Sequence, residues 1–302
     1  MFDAAGSTLF FPSMLSTAYR GVLESTNNLS LAMTATHDGE TGGESAAATA
    51  QHFATAFSGS CARLKLAILD PKDQLAESSN LFLRSFAGGR VGLLDAPCGS
   101  GAASAALLAT IAELRRQEVI PALPLDVFLV GGDISPHALN YADRLLQLMD
   151  QGLREQAIFV HPSFRIWDLM DEISTTELLH AWMVHSPDCR DHFMLTANFS
   201  GFLHESTRLN AARERLAEMF RWAAVRRSTV AWIEPQTNAA MKSMWPRLFK
   251  GLLAKVATFF RQASTEQSSQ PLCSDARFEH PLRTGTRYNV RLSLMRMTRY
   301  PG

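Results

Sequence analysis

The residue types best suited to chemistry stand together in Leu93–Gly101, where an acid ends an apolar run and a turn of small residues follows (LLDAPCGSG). Small residues in such a turn let the backbone approach a ligand closely, and a helix that starts there offers free N–H groups. Loops of this kind bind nucleotide-like cofactors. Asp95 would repel a pyrophosphate and attract a cationic amino group, so the stretch favours a ligand that carries a nucleoside and an ammonium group.

A dinucleotide-binding loop is one alternative, but its glycine pattern differs. Such a loop carries G-x-G-x-x-G directly after its strand, whereas this chain has Gly99, Gly101 and then Ser104. A purely structural strand-to-helix turn is the second alternative. Cys98 fits the turn as a small buried residue, because no histidine is placed by the sequence to activate it as a nucleophile.

Two stretches resemble the class I S-adenosylmethionine-dependent methyltransferases. Leu94–Gly101 is similar to motif I of that family, D/E-x-G-x-G-x-G, with Pro97 at the first glycine position. Val130–Leu139 (VGGDISPHAL) resembles the end of the family's second strand, where an acid accepts hydrogen bonds from both ribose hydroxyls. The resemblance covers about residues 88–298, and the two stretches are specific as a pair.

The resemblance implies S-adenosylmethionine as cofactor and assigns residues to it. Asp133 takes the ribose position, with Ile134 beside it, and Asn198 falls beside the transferable methyl group. Weaker matches put Asp168 at the adenine amino group and Leu169 against the adenine ring. The motif I residues complete the implied cofactor set: Asp95, Pro97, Cys98, Gly99 and Gly101.

Other roles for two of these acids stay open at the level of the residues. Asp133 also suits a helix N-cap, with Ser135 or Ile134 opening the next helix and Pro136 in its first turn. Asp168 also suits a solvated turn that includes nearby acids.

His204 and Glu205 are the candidate catalytic residues, as a general base and its orienting partner for a hydroxyl acceptor. The competing interpretation is that His204 caps a helix and Glu205 lies in its exposed first turn.

Asn198–Gly201 (NFSG) lacks both prolines of the [DN]-P-P-[YF] motif of amino-methylating enzymes, so that chemistry is not assigned. Tyr19 and Arg20 are candidates to close over the acceptor, although an amphipathic cap helix explains them equally well.

Strands alternate with helices from residue 90 onward, which predicts an α/β fold with a mostly parallel sheet and ligands at the carboxyl ends of its strands. The predicted strands are Val91–Leu94, Asp126–Val130, Ser163–Trp167, His192–Ala197 and Thr229–Ile233. A long helix is predicted from Met241 to Phe259. A closing antiparallel hairpin completes a seven-stranded Rossmann-like sheet, as the resemblance implies.

The hairpin is predicted from residues 277–282 and from the apolar alternation of Tyr288–Leu294, with a bulge where Met295–Met297 reverse the phase. N-terminal to the sheet, residues 34–50 are predicted as a loop and residues 51–86 as helix broken at Pro71. We therefore expect a helical cap over residues 1–86 and a cofactor-binding domain over residues 87–302.

Composition narrows the class of protein. Hydrophobic residues are 46% and charged residues 19% of 302, the balance of a globular protein. No apolar run reaches the roughly 20 residues of a membrane span, and no secretory signal is visible. The scattered cysteines predict reduced thiols, no metal site and a cytoplasmic location.

Charge is balanced overall but not along the chain. Residues 1–200 hold 12 basic and 22 acidic side chains, and residues 201–302 hold 17 basic and 7 acidic ones. A basic C-terminal third can receive nucleic acid if its arginines share one surface, or can be ordinary solvated surface.

The function predicted from these residues is a methyltransferase that uses S-adenosylmethionine and methylates an O or N atom of a small molecule. RNA or protein is the alternative acceptor. From other classes, an NAD(P)-binding oxidoreductase and a non-catalytic binding protein remain as alternatives, since a fold does not fix a function.

Overall fold

The fold is mixed α/β, with eight helices and one eight-stranded sheet among the described residues. The structure is a computed structural model, described here for residues 1–3, 5, 7–34, 45–75, 77–199, 206–223, 227–236 and 271–299. The predicted helix Met241–Phe259 lies outside these residues. The predicted alternation of strands and helices from residue 90 is confirmed.

The N-terminal elements are one short strand and four helices: β1 (Thr8–Leu9), α1 (Ser13–Ser25), α2 (Leu29–Thr34), α3 (Ala46–Leu69) and α4 (Ser78–Ser85). The alternating elements follow: β2 (Gly89–Asp95), α5 (Ala102–Arg116), β3 (Leu125–Asp133), α6 (Pro136–Glu155), β4 (Ile158–Ile166), α7 (Glu172–His185), β5 (Asp191–Ala197), α8 (Ser206–Ala223) and β6 (Ser228–Pro235). The C-terminal hairpin is β7 (Leu272–Glu279) and β8 (Arg287–Arg299).

The strand order is β1-β7-β8-β6-β5-β2-β3-β4, and only β8 runs against its neighbours. The predicted antiparallel hairpin is therefore confirmed. β3 and β5 lie on opposite sides of β2, so the chain order reverses at β2. In open α/β sheets ligands bind at such a point, outside the carboxyl ends of the strands. Those ends are Asp95, Asp133 and Ala197.

The sheet has eight strands rather than the predicted seven, because Thr8 and Leu9 pair in parallel with Arg277 and Phe278 of β7. Leu9 is fully buried. A two-residue strand has no periodicity for a sequence to display, since its pairing depends on a partner almost 270 residues away.

Helix α3 begins at Ala46, so the predicted loop 34–50 is wrong at its C-terminal end. The Ser45 side chain accepts a hydrogen bond from the Ala48 N–H and caps the helix. The helix ends at Leu69, followed by Asp70 in the left-handed conformation, and α4 follows after the break predicted at Pro71.

The predicted bulge at Met295–Met297 is also wrong. The pairing of β8 with β6 runs without interruption from Leu292 opposite Pro235 to Arg299 opposite Ser228. The apolar phase reverses because the strand is buried on both faces. Leu292 and Leu294 join the hydrophobic core that contains α3, whereas Met295 and Met297 join the core formed with α7 and α8.

The N-terminal helices share the larger core with the sheet. Leu15 and Val22 of α1 and Phe57 of α3 belong to the same cluster as Leu93 and Leu129 of the central strands. Tyr19 is fully buried and donates a hydrogen bond from its hydroxyl to Ala54 O (2.8 Å). Tyr19 therefore packs inside the protein, and it does not line the cavity described below. The boundary between residues 86 and 87 stays a prediction.

No helix in the described part of the chain is long and apolar enough to cross a membrane. All four cysteines are described and free; Cys61, Cys98 and Cys189 are buried, and Cys273 is exposed.

Several arginines of the C-terminal third have acidic neighbours among the described residues. Arg291 lies opposite Asp275 across the hairpin, and Arg287 forms an ion pair with Glu279 (3.8 Å). On α8, Arg215 contacts Glu172 of α7 (2.5 Å). These neighbours offset part of the positive charge. Binding of nucleic acid to this third stays a prediction.

Candidate cofactor and acceptor site

The loop between β2 and α5 is a tight turn held by backbone hydrogen bonds. The Cys98 N–H donates to Gly132 O (2.9 Å), and the Gly101 N–H donates to Cys98 O (2.9 Å). Gly99 and Gly101 both have positive φ, +52° and +77°, a conformation that glycine adopts without steric cost. A Cβ on Gly101 would stand 2.9 Å from the Ala142 Cβ, whereas one on Gly99 would meet no atom within 4 Å.

Asp133 joins this loop to the start of α6. Its Oδ2 accepts the Gly99 N–H (3.0 Å), and its Oδ1 accepts the Ser135 N–H (2.9 Å). Burial raises the pKa of Asp133, and the two donors partly oppose that rise. Ser135 caps α6 through the Ala138 N–H, and Pro136 opens the helix as predicted. The cap is therefore Ser135, which leaves the Asp133 carboxylate at the cavity.

Asp95 lies beneath the loop and is fully buried. Its Oδ2 accepts the Ser104 N–H (3.2 Å), while its Oδ1 has no hydrogen-bond partner among the described residues. Burial raises the pKa of Asp95 to about 7, and the nearby Asp133 carboxylate adds to the rise. Burial likewise raises the pKa of the Cys98 thiol, which fits an inert buried residue rather than a nucleophile.

The carboxyl ends of β2, β3 and β5 border a cavity of about 230 Å³. Eight of the ten predicted cofactor residues line it: Pro97, Cys98, Gly99, Asp133, Ile134, Asp168, Leu169 and Asn198. The remaining two support the loop from behind, Asp95 from below and Gly101 against α6. His204 and Glu205 lie outside the described residues.

The Asp168 segment closes the side of the cavity next to β3. The Trp167 N–H donates to Asp133 O (2.9 Å) and extends the pairing of β3 with β4. Asp168 is half-buried, and its Oδ1 accepts the Met170 N–H (2.8 Å). Asp168 therefore forms part of a turn and also lines the cavity. Its two interpretations, a residue of a solvated turn and a contact to the cofactor, are compatible.

The wall opposite the loop comes from α3, which belongs to the predicted helical cap, although the sequence singled out none of its residues for a site. Its residues at the cavity are Thr49, His52, Phe53, Phe57 and Ser60. Their spacing is that of a buried helix face, which explains why the sequence did not distinguish these residues from core residues. Thr49 also contacts Ser135 through its hydroxyl (3.3 Å), which joins α3 to the end of β3.

Arg63, one turn further along α3, connects the helix to the end of β5. Its Nε donates to Asn198 Oδ1 (2.6 Å) and its Nη2 donates to Ser60 Oγ (3.2 Å). Glu234 of β6 is fully buried and accepts the Phe199 N–H (2.8 Å). Burial lowers the pKa of Arg63 to about 10, and Glu234 opposes that shift.

Taken together, the arrangement is a partly apolar cavity with carboxylates at one end and amide and hydroxyl groups at the other. The carboxylates are able to accept hydrogen bonds from hydroxyl or amino groups. A scan against models of known protein families and a search of curated proteins found no match for this chain.

Proposed function

We propose that this protein is an S-adenosylmethionine-dependent methyltransferase that acts on a small molecule. The observation that carries the proposal is the meeting, at one cavity, of the glycine loop after β2 with the carboxylate of Asp133 after β3. The other predicted contacts, Asp168, Leu169 and Asn198, border the same cavity. The mostly parallel sheet with its antiparallel C-terminal hairpin also supports the proposal.

The residues present fit this cofactor. Each oxygen of Asp133 accepts one N–H, and an ionised carboxylate has about four acceptor positions. Asp133 thus keeps capacity for both ribose hydroxyls. Gly99 leaves open space at the loop, and Asp95 beneath it has an unpartnered oxygen and carries negative charge once it ionises above a pKa of about 7. That charge suits the ammonium group of the cofactor and opposes a pyrophosphate.

When bound, S-adenosylmethionine supplies an electrophilic methyl group on a sulfonium. The protein's residues then position the reactants and exclude water, which by itself contributes much of a rate enhancement. Ile134 and Leu169 offer apolar surface for the adenine, and Asn198 with Phe199 borders the opposite end. A proton acceptor for a hydroxyl substrate is assigned to His204 with Glu205, and this assignment stays a prediction.

The acceptor is proposed to be small because α3 forms one wall of the cavity with Phe53 and Phe57, which leaves about 230 Å³. An RNA acceptor would be favoured by a continuous basic surface, and the ion pairs of Arg215 and Arg287 offset part of the positive charge of the C-terminal third. A cytoplasmic location stays a prediction.

A thermal-shift comparison of S-adenosylmethionine, S-adenosylhomocysteine and NAD tests the proposal. We expect both adenosyl compounds to raise the melting temperature in proportion to their affinity, and NAD to leave it unchanged. Stabilisation by NAD alone would instead support an oxidoreductase. A binding protein without catalysis would be stabilised by the adenosyl compounds yet methylate no acceptor.

Cofactor affinity should depend on pH through Asp95. Its pKa of about 7 in the free protein means that the carboxylate is mostly protonated at pH 6 and ionised at pH 8. An ammonium group binds the ionised form, so affinity for S-adenosylhomocysteine should fall by up to about 10-fold per pH unit below 7. Titration calorimetry from pH 6 to 8 measures this, and a flat profile would contradict it.

The Asp95→Asn variant is the control for the pH effect. We expect this substitution to raise the stability of the protein at pH 8 and to lower its affinity for S-adenosylhomocysteine. Because the folded pKa exceeds the ordinary value of 3.8, the native protein holds a proton between about pH 4 and 7 that the unfolded chain has lost. This residue's contribution to the free energy of unfolding therefore decreases through that window, by at most about 4 kcal/mol. Asp95→Asn should melt higher than wild type at pH 8, bind S-adenosylhomocysteine more weakly, and lose the pH profile.

A further inference from the structure

Arg63 holds two polar side chains of the cavity wall through one edge of its guanidinium. The donors Nε and Nη2 point in the same direction, as in the paired hydrogen bonds that arginine makes to a carboxylate. Here the two acceptors are Asn198 Oδ1 at 2.6 Å and Ser60 Oγ at 3.2 Å. The two side chains are therefore held side by side, although 138 positions separate them in the sequence.

This contact fixes which hydrogen-bonding groups the two side chains offer to a ligand. The amide oxygen of Asn198 faces Arg63, so the opposite side of the amide is Nδ2 with its two hydrogens. Ser60 accepts from Arg63, which leaves its O–H to donate elsewhere. No described residue accepts from Asn198 Nδ2 or from the Ser60 hydroxyl, and both residues line the cavity.

The backbone keeps Asn198 in place. Its φ is +56°, a left-handed conformation that asparagine tolerates better than most residues. Its N–H donates to Ile233 O (3.0 Å) and continues the pairing of β5 with β6. The orientation of the amide itself is set by Arg63, because a turned amide would place the Nδ2 donors against the Nε donor of Arg63.

Glu234 is the countercharge of Arg63 and does not line the cavity. Its Oε1 accepts hydrogen bonds from the Phe199 N–H and from Trp232 Nε1 (2.5 Å). With a pKa of about 10, Arg63 stays charged at neutral pH. The group that directly faces the ligand is consequently a pair of donors polarised by a cation behind them.

Aromatic rings border the same cavity, Phe53 and Phe57 from α3 and Phe199 after β5, and Thr49 and His52 of α3 also line it. Two adjacent donors among aromatic rings match a ligand with two adjacent acceptor atoms on an apolar body. A carboxylate is the strongest such acceptor, whereas an ammonium group would face donors only.

We propose that the methyl-acceptor molecule is an aromatic or similarly apolar carboxylic acid, whose carboxylate is bound by Asn198 and Ser60. Arg63 acts as a positioning residue behind them. This inference rests on the proposed function, because it identifies the substrate class of the same site.

The test compares phenylacetate with benzylamine on the full chain saturated with S-adenosylhomocysteine, by titration calorimetry. We expect phenylacetate to bind at least 10-fold more tightly than benzylamine, a ratio typical of leaving buried polar groups unpaired. Equal or tighter binding of benzylamine would overturn the inference. So would the failure of both compounds to bind at concentrations up to about 10 mM.

Asn198→Asp provides the sharpest variant. The new carboxylate keeps an oxygen for Arg63 and replaces the Nδ2 donors with a second oxygen, so the preference should change to benzylamine. Arg63→Lys keeps the positive charge but has no edge with two donors, so the phenylacetate preference should fall by several-fold. A general loss of folding lowers the affinities for phenylacetate and benzylamine alike. The ratio of these two affinities therefore separates a positioning role of Arg63 from a merely structural one.

The outcomes also separate this inference from the proposed function. If wild type does not bind S-adenosylhomocysteine, the proposed function fails, and the same two compounds are titrated into the free protein. If it binds S-adenosylhomocysteine but prefers benzylamine, only the carboxylate assignment fails.

Discussion

Replacing Asp133 with alanine is expected to lower the affinity for S-adenosylhomocysteine by about 100-fold or more. The variant loses an ionised acceptor for two ribose hydroxyls, and hydrogen bonds to charged groups contribute about 1.5–3 kcal/mol each. It also leaves the N–H groups of Gly99 and Ser135 without their acceptor, which loosens the loop before the ligand binds. Titration calorimetry on wild type and variant measures the effect.

Ser135→Ala is the matched control for this substitution. It removes the side-chain cap of α6 and the contact with Thr49, but it keeps the backbone N–H that Asp133 binds. Loss of a serine cap costs about 1 kcal/mol of stability, so this variant should melt lower than wild type while its affinity stays within about threefold. An Asp133→Ala affinity equally close to wild type would contradict the ribose assignment.

Alanine substitutions at Gly99 and Gly101, two glycines of the same loop, are expected to have different effects on stability and on cofactor affinity. Gly101→Ala should destabilise the protein by about 2–4 kcal/mol, because its Cβ would stand 2.9 Å from the Ala142 Cβ at a φ of +77°. Gly99→Ala meets no neighbouring atom and should cost only about 1 kcal/mol. However, its methyl group would occupy space at the cavity wall, so we expect affinity for S-adenosylhomocysteine to fall by about 10-fold.

Chemical denaturation and calorimetry on both glycine variants check this pair of results. Any folded Gly101→Ala protein should retain more cofactor affinity than Gly99→Ala, although it is the less stable of the two. If Gly99→Ala binds S-adenosylhomocysteine as wild type does, the backbone of this loop does not approach the cofactor.

Local sequence signals identified the half of the site that is built from strand ends. Asp95 and Asp133 each end a buried strand, and a turn or helix cap follows each of them within two or three residues. Because parallel strands bring their carboxyl ends to one edge, short motifs at these positions were enough to predict that Gly99, Asp133 and Asn198 share a cavity.

The other half depends on tertiary contacts that no local pattern contains. The side of α3 that faces the cavity has the residue spacing of an ordinary buried helix face. It lines the cavity only because the helix packs across the carboxyl ends of the strands. The contact of Arg63 with Asn198 joins residues 135 positions apart. Arg63 is half-buried on a largely buried helix, and its partner could not be deduced from the sequence.

The dependence on contacts distant in sequence also explains why the number of strands and the bulge in the sheet were predicted wrongly. A two-residue strand at Thr8–Leu9 has no period, and burial of β8 on both faces mimics the change of phase that a bulge produces. In each case a neighbour distant in sequence decides the structure.

A crystal structure of this protein with S-adenosylhomocysteine tests the proposed cofactor site directly. We expect the ribose hydroxyls on the Asp133 carboxylate, the adenine beside Leu169 and Asp168, and the sulfur toward Asn198. S-adenosylhomocysteine bound elsewhere, or a cavity that stays empty at saturating concentration, would contradict this assignment.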